Sequence, residues 1–156
     1  MTPVPWLACM LAVSRFHHLP PRVLPSIQVV EAGQPGTISR NFNGSGDLGV
    51  MHVNTLWIPH LARSWHMSPP EVAGRLIEDP CFNIAAAGAI MRIYLDESRG
   101  NVVRAVGYYH SHTPDRASDY QIKVIRASFR LFGRPRPAVV PVKGRRQVTR
   151  AGARPS

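Results

Sequence analysis

The sequence predicts a mainly α fold of the α+β kind, a compact helical domain interrupted once by a small Gly/Asn-rich loop or hairpin. Three observations carry this. Apolar residues recur at 3.6-residue spacing through much of residues 6 to 132, caps and prolines punctuate those segments, and glycine and asparagine crowd into residues 32 to 54. A chain of 156 residues suits one hydrophobic core, and 44% apolar residues exclude wholesale disorder. Nowhere does it approach the roughly 18 consecutive apolar residues of a membrane span, and no internal repeat is visible.

In chain order, Trp6 to Phe16 predicts a short buried helix ending near His17 and His18. Pro20-Pro21 starts a second, with Pro21 suited to a first helical position. Val23, Leu24, Ile27 and Val30 form its buried stripe, and Glu31 stands at its end. Gly33, Gly36, Gly44, Gly46 and Gly49 then break any helix, while Asn41, Asn43 and Asp47 supply turn chemistry. Loops of this length in compact domains are usually functional or disordered.

Helices resume at Asn54, which caps a segment through Trp57, Leu61 and Trp65; a shared face predicts core packing for both tryptophans. Ser68-Pro69-Pro70-Glu71 is a capping box with proline at the first helical position. Phe82 to Leu95 forms the next helix, where Gly88 marks a close approach. Asn101 caps a helix through Val106. Pro114-Asp115 opens the last, with Tyr120, Val124 and Leu131 on one side and Gly133 as its stop.

The formal charge of +10 is unevenly spread. Seven of the nineteen basic residues lie in residues 133 to 156, which contain no acid, leaving twelve against nine acids in the rest. With Pro135, Pro137, Pro141 and Pro155 and almost no large apolar residue, this segment predicts a flexible basic tail. Its expected partner is any polyanion, bound weakly and in a salt-sensitive way; a merely solubilising extension fits as well. The core shows no basic face that would make a nucleic-acid binder.

Cys9 and Cys81, read on their own, suggest two buried thiols. His110 and His112 flank Ser111, but no third ligand stands at metal spacing, so no metal or cofactor is expected. Met1 to Val13 has an apolar stretch without a basic start and runs into the first helix, so no export signal is visible and the chain reads as beginning near a mature form.

Glu31 is the chemically suggestive residue. Cleaving a glycosidic bond requires an acid to protonate the leaving oxygen, and apolar surroundings keep a carboxyl protonated. Most glycosidases use two carboxylates. Here Asp47 is the one other acid before Glu71. A helix-end glutamate alone is ordinarily a solvated surface residue.

Its neighbours change the reading. Val30-Glu31-Ala32-Gly33, followed by Gly46-Asp47-Leu48-Gly49-Val50-Met51-His52-Val53-Asn54 and Trp57, resembles the lysozyme-like lytic transglycosylases, in which a helix-end Glu-Ser precedes a Gly-Leu-Met-Gln-Ile-Asn segment. Asp79-Pro80-Cys81-Phe82-Asn83-Ile84 with Gly88 is similar to the family's Asn-Ile-x-x-x-Gly helix. Gly107-Tyr108-Tyr109-His110-Ser111, with Thr113-Pro114 and Tyr120, resembles the Tyr-His-Ser form of its Ala-Tyr-Asn-Ala-Gly motif. That form, and cysteines at these places, are similar to accessory enzymes of conjugation and of type III and type IV secretion. The four motifs fall in order and cover about residues 8 to 132.

The resemblance implies a lysozyme-like domain over residues 1 to 132, with the insertion beside an active-site cleft. It implies that Glu31 alone is catalytic, protonating the bond between N-acetylmuramic acid and N-acetylglucosamine and then taking the muramic 6-hydroxyl proton to close a 1,6-anhydro ring. Met51 and the backbone around Gly49 would line the sugar cleft with His52, Asn54 would brace the loop, and Tyr109 would hydrogen-bond Glu31 or the N-acetyl group. It also implies a Cys9–Cys81 disulfide and a periplasmic or exported setting, with peptidoglycan strands and components of a secretion or conjugation machine as partners. Two departures matter: Ala32 replaces the serine after the glutamate, and His52 replaces the glutamine after methionine. They leave room for an inactive glycan-binding scaffold, and a lysozyme-type hydrolase is a further alternative.

Overall fold

A computed structural model describes residues 3 to 138. It is mainly helical, with one small sheet: α1 (Leu7–Phe16), α2 (Val23–Glu31), β1 (Ile38–Arg40), β2 (Gly46–Leu48), β3 (Val53–Asn54), a 3-10 turn (Thr55–Trp57), α3 (Ile58–Trp65), α4 (Pro69–Glu78), α5 (Pro80–Glu97), α6 (Val102–His110) and α7 (Pro114–Phe132). The compact α+β architecture expected from the sequence is therefore present. Among the described residues no helix is long and apolar enough to cross a membrane. The expected tail lies outside the described residues from residue 139 onward; residues 133 to 138 are exposed and without regular structure.

Local chemistry sets most boundaries. Asn54, Ser68 and Asn101 each accept a backbone N–H with the side chain, from Leu56, Glu71 and Arg104. Asp79 does the same for Phe82 with Pro80 behind it, so α5 begins two residues before the expected Phe82. The second helix begins later than expected. The Val23 N–H closes a turn onto Pro20, and Pro25 is tolerated because it sits in the first helical turn. Helix α6 runs past Val106 to His110, which places both Tyr108 and Tyr109 on a helix.

The core joins α2, α4 and α5 to the sheet through Leu24, Ile27, Leu48, Met51, Leu76, Ile84 and Met91, all nearly or wholly inaccessible. Gly88 is the contact point of α1 with α5, since a Cβ there would collide with Val13 and crowd His17. Cys9 and Cys81 are bonded across the same helix pair, with Cα atoms 5.6 Å apart.

The insertion is a three-stranded antiparallel sheet in the order β1-β2-β3, pairing Ile38 with Leu48 and Leu48 with Val53. The anticipated hairpin accounts for β1 and β2. The third strand is two residues long, too short for an alternating pattern to reveal.

Candidate active site

Helix α2 ends at Glu31 because Ala32 turns the backbone left-handed, at φ 51°. Gly33 then passes so close to the Gly49–His52 turn that a Cβ would meet the Gly49 carbonyl and the His52 ring. Only glycine permits that approach. Glu31 is thereby delivered to the floor of a cleft of about 620 Å³ between the sheet and helices α5 and α6.

Both Glu31 oxygens are engaged. The Tyr120 hydroxyl, from α7, donates to Oε1 at 2.6 Å. His52 Nδ1 lies 3.0 Å from Oε2. The Glu31 side chain is only 14% exposed. The hydrogen bond to Glu31 raises the His52 pKa above 6.5; burial opposes this, and the charges of Glu31 and Asp47 reinforce it. Burial foremost, and then the charge of Glu31, push the Tyr120 and Tyr109 phenols well above the usual tyrosine range. Both therefore stay protonated and act as donors. The His110 ring stacks flat on Tyr120, with centroids 4.8 Å apart.

The turn that carries His52 is held from below. Asn83 is wholly buried; its Oδ1 accepts from the Met51 N–H at 2.9 Å, and its Nδ2 donates to the carbonyls of Leu48 and Leu76 at 2.7 and 2.8 Å. The Tyr109 hydroxyl donates to the Met51 carbonyl at 2.8 Å. Met51 is thus clamped at both backbone atoms. His52 follows in a left-handed conformation, φ 50°, uncommon outside glycine.

The other acid in the cleft is differently employed. Asp47 accepts from Asn54 Nδ2 at 2.9 Å and from Asn41 Nδ2 at 3.2 Å. Asn54 also reaches Ser45, and Asn43 accepts from the Ser45 backbone and hydroxyl. This network braces the β1–β2 hairpin and displays Phe42, fully exposed, at the cleft rim.

Among the expected site residues, Glu31, His52, Asn54 and Tyr109 come together at the cleft. Asn54 holds the loop. Three expectations need correction. Met51 does not line the cleft: its side chain is inaccessible and packs in the core, and only its backbone serves the site. Gly49 is likewise buried, placed there because φ is 65° and a Cβ would collide with Leu76 and Asn83. Of the two roles expected for Tyr109, the bond to Glu31 is not made: its hydroxyl donates to the Met51 carbonyl, and Tyr120 stands at Glu31 instead. Trp57, expected as core, leans on the core with one side and lines the cleft with the other. Trp65 packs on Phe82.

Tyr120 and Asn83 carry the largest roles that sequence reasoning did not assign. A tyrosine on an apolar stripe buries its hydroxyl and therefore needs a partner, which is the signal Tyr120 offered.

The site is thus a cleft in a helical α+β domain, with a largely buried glutamate held by a tyrosine and a histidine at its floor. No protein-family model matches the sequence. The chain is 32% identical to the invasion protein IagB of Salmonella typhimurium, strains SL1344 and LT2, over 119 residues that cover 73% of this chain and 68% of the relative. The invasion protein IagB of Salmonella typhi matches to the same extent. The chain belongs to the family of these invasion proteins.

Proposed function

We propose that the protein is a peptidoglycan lytic transglycosylase with Glu31 as its single acid and base. The observation that carries this reading is the unequal use of the two cleft acids. Glu31 faces the cleft with its oxygens on a phenol and an imidazole, Tyr120 and His52, whereas Asp47 is held by two side-chain amides of the hairpin network, Asn41 and Asn54.

Glu31 gives its proton to the oxygen between N-acetylmuramic acid and N-acetylglucosamine, and the C–O bond on the muramic side breaks. The N-acetyl oxygen of the substrate supports the positive centre, the task of the second carboxylate in two-acid enzymes. Glu31, now a carboxylate, takes the proton of the muramic 6-hydroxyl, whose oxygen closes onto C1. Water is not consumed, and Glu31 ends protonated as it began. Tyr120 holds Oε1 throughout, while His52 holds Oε2.

This substrate places the protein outside the cytosol, in the periplasm or beyond, and the Cys9–Cys81 bond supports an oxidising compartment. The Tyr-His-Ser motif and the cysteine pair, similar to those of secretion and conjugation enzymes, support work beside such an apparatus, opening the wall locally, and kinship with invasion proteins accords with it. The test is the chemical form of the glycan ends left in digested peptidoglycan.

A further inference from the structure

Apart from the Glu31 cluster, one wall of the cleft carries four packed rings. Tyr108, near the end of α6, and His112, in the connection to α7, lie face to face with centroids 4.2 Å apart and planes within 14°. His112 Nε2 meets Glu97 at 2.7 Å, which fixes the imidazole although its side chain is 52% exposed. Tyr94 packs edge-on against both rings and against Trp57, whose centroid is 5.8 Å away. All four rings line the cleft.

Core packing accounts for Tyr94 and for one side of Trp57. It does not account for His112, an exposed ring held flat by a stack and an acid at the edge of a groove. A pyranose has a face of C–H bonds that complements the negative face of an aromatic ring. Its hydroxyls lie at the ring edge, and the cleft lining offers Ser111 and Arg116 beside the stack and Asn43 from the hairpin.

We propose that the Tyr108–His112 stack is a sugar-stacking subsite that takes the face of one N-acetylhexosamine ring of the glycan, apart from the residues that break the bond. This rests on reading the cleft as a glycan site and assigns two residues outside the Glu31 cluster to binding.

The test uses the full chain carrying Glu31→Gln, so that nothing is cleaved, titrated with tri-N-acetylchitotriose. Tryptophan fluorescence, in which Trp57 is the nearby reporter, and amide NMR shifts follow binding. Saturable binding is expected, weakened about tenfold by Tyr108→Ala and by His112→Ala. Tyr108→Phe should keep most of the affinity. His112 is exposed, so its variant should melt like the parent and separate lost binding from lost folding. Unchanged affinity in both alanine variants, or no binding by the Glu31→Gln protein, would overturn the subsite. Cleavage is measured separately with Glu31 intact, where both variants should raise KM and leave kcat nearly unchanged. A protein that binds the sugar through these rings but cleaves nothing would refute the lyase reading and leave the subsite standing.

Discussion

Tyr120 donates its hydroxyl to Glu31 Oε1 at 2.6 Å, joining the last helix to the end of the second across 89 residues. The phenol is nearly inaccessible and its pKa is pushed far above the usual range, so it donates at any working pH. Tyr120 therefore orients the carboxylate without exchanging protons with the substrate.

Tyr120→Phe removes that donor and keeps the ring that stacks on His110. A hydrogen bond to a charged group is worth about 1.5–3 kcal/mol, so kcat should fall roughly 10- to 100-fold. KM should change little and the protein should remain folded. Steady-state kinetics on purified sacculi check this.

Asn83→Ala should be the most damaging polar substitution away from the carboxylate. It leaves the Met51 N–H and the Leu48 and Leu76 carbonyls unpartnered in the core. We expect a loss of about 3 kcal/mol, seen as a melting temperature lower by roughly 10 °C.

These two residues show what the sequence made legible. Caps act within three or four residues, so Asn54, Ser68 and Asn101 announced their helices. Glu31 stood out through its place between an apolar stripe and a glycine-rich stretch, and Gly88 through its presence inside a helix. Which tyrosine reaches Glu31 depends on how α6 and α7 pack, and no local rule fixes that. Tyr109 sits in the more conspicuous motif, yet its hydroxyl ends on a backbone carbonyl. Met51 misled for a related reason: His52 beside it faces the cleft, but Met51 itself lies in the turn before β3 with its side chain in the core next to Val50.

The disulfide should be visible as a Cys9 peptide linked to a Cys81 peptide in a non-reducing digest. At a sequence separation of 72, the chain-entropy estimate for its stabilisation is about 4 kcal/mol. Reduction should lower the melting temperature by several degrees. Two free thiols in oxidised protein would contradict the pairing.

His52 makes stability depend on pH in a defined direction. Its folded pKa is raised above 6.5, so the stabilisation from its bond to Glu31 is fully present below about 6.5 and fades as pH rises through the raised value. His52→Gln should therefore cost on the order of 1 kcal/mol near pH 6 and less at pH 8. Paired melting curves at the two pH values check it. The same variant should flatten the pH dependence of turnover around neutrality.

The most direct measurement is mass spectrometry of muropeptides released by the wild-type, Asp47→Asn and Glu31→Gln proteins. The wild type should yield ends in 1,6-anhydro-N-acetylmuramic acid, lighter by one water than hydrolysed ends. Asp47→Asn should yield the same product, because its role is to accept from Asn41 and Asn54. Glu31→Gln, folded by circular dichroism, should release essentially none. Reducing ends from the wild type would mean that water is the nucleophile and would make Asp47 the candidate second carboxylate. Undiminished release of anhydro ends by a folded Glu31→Gln protein would contradict the central claim.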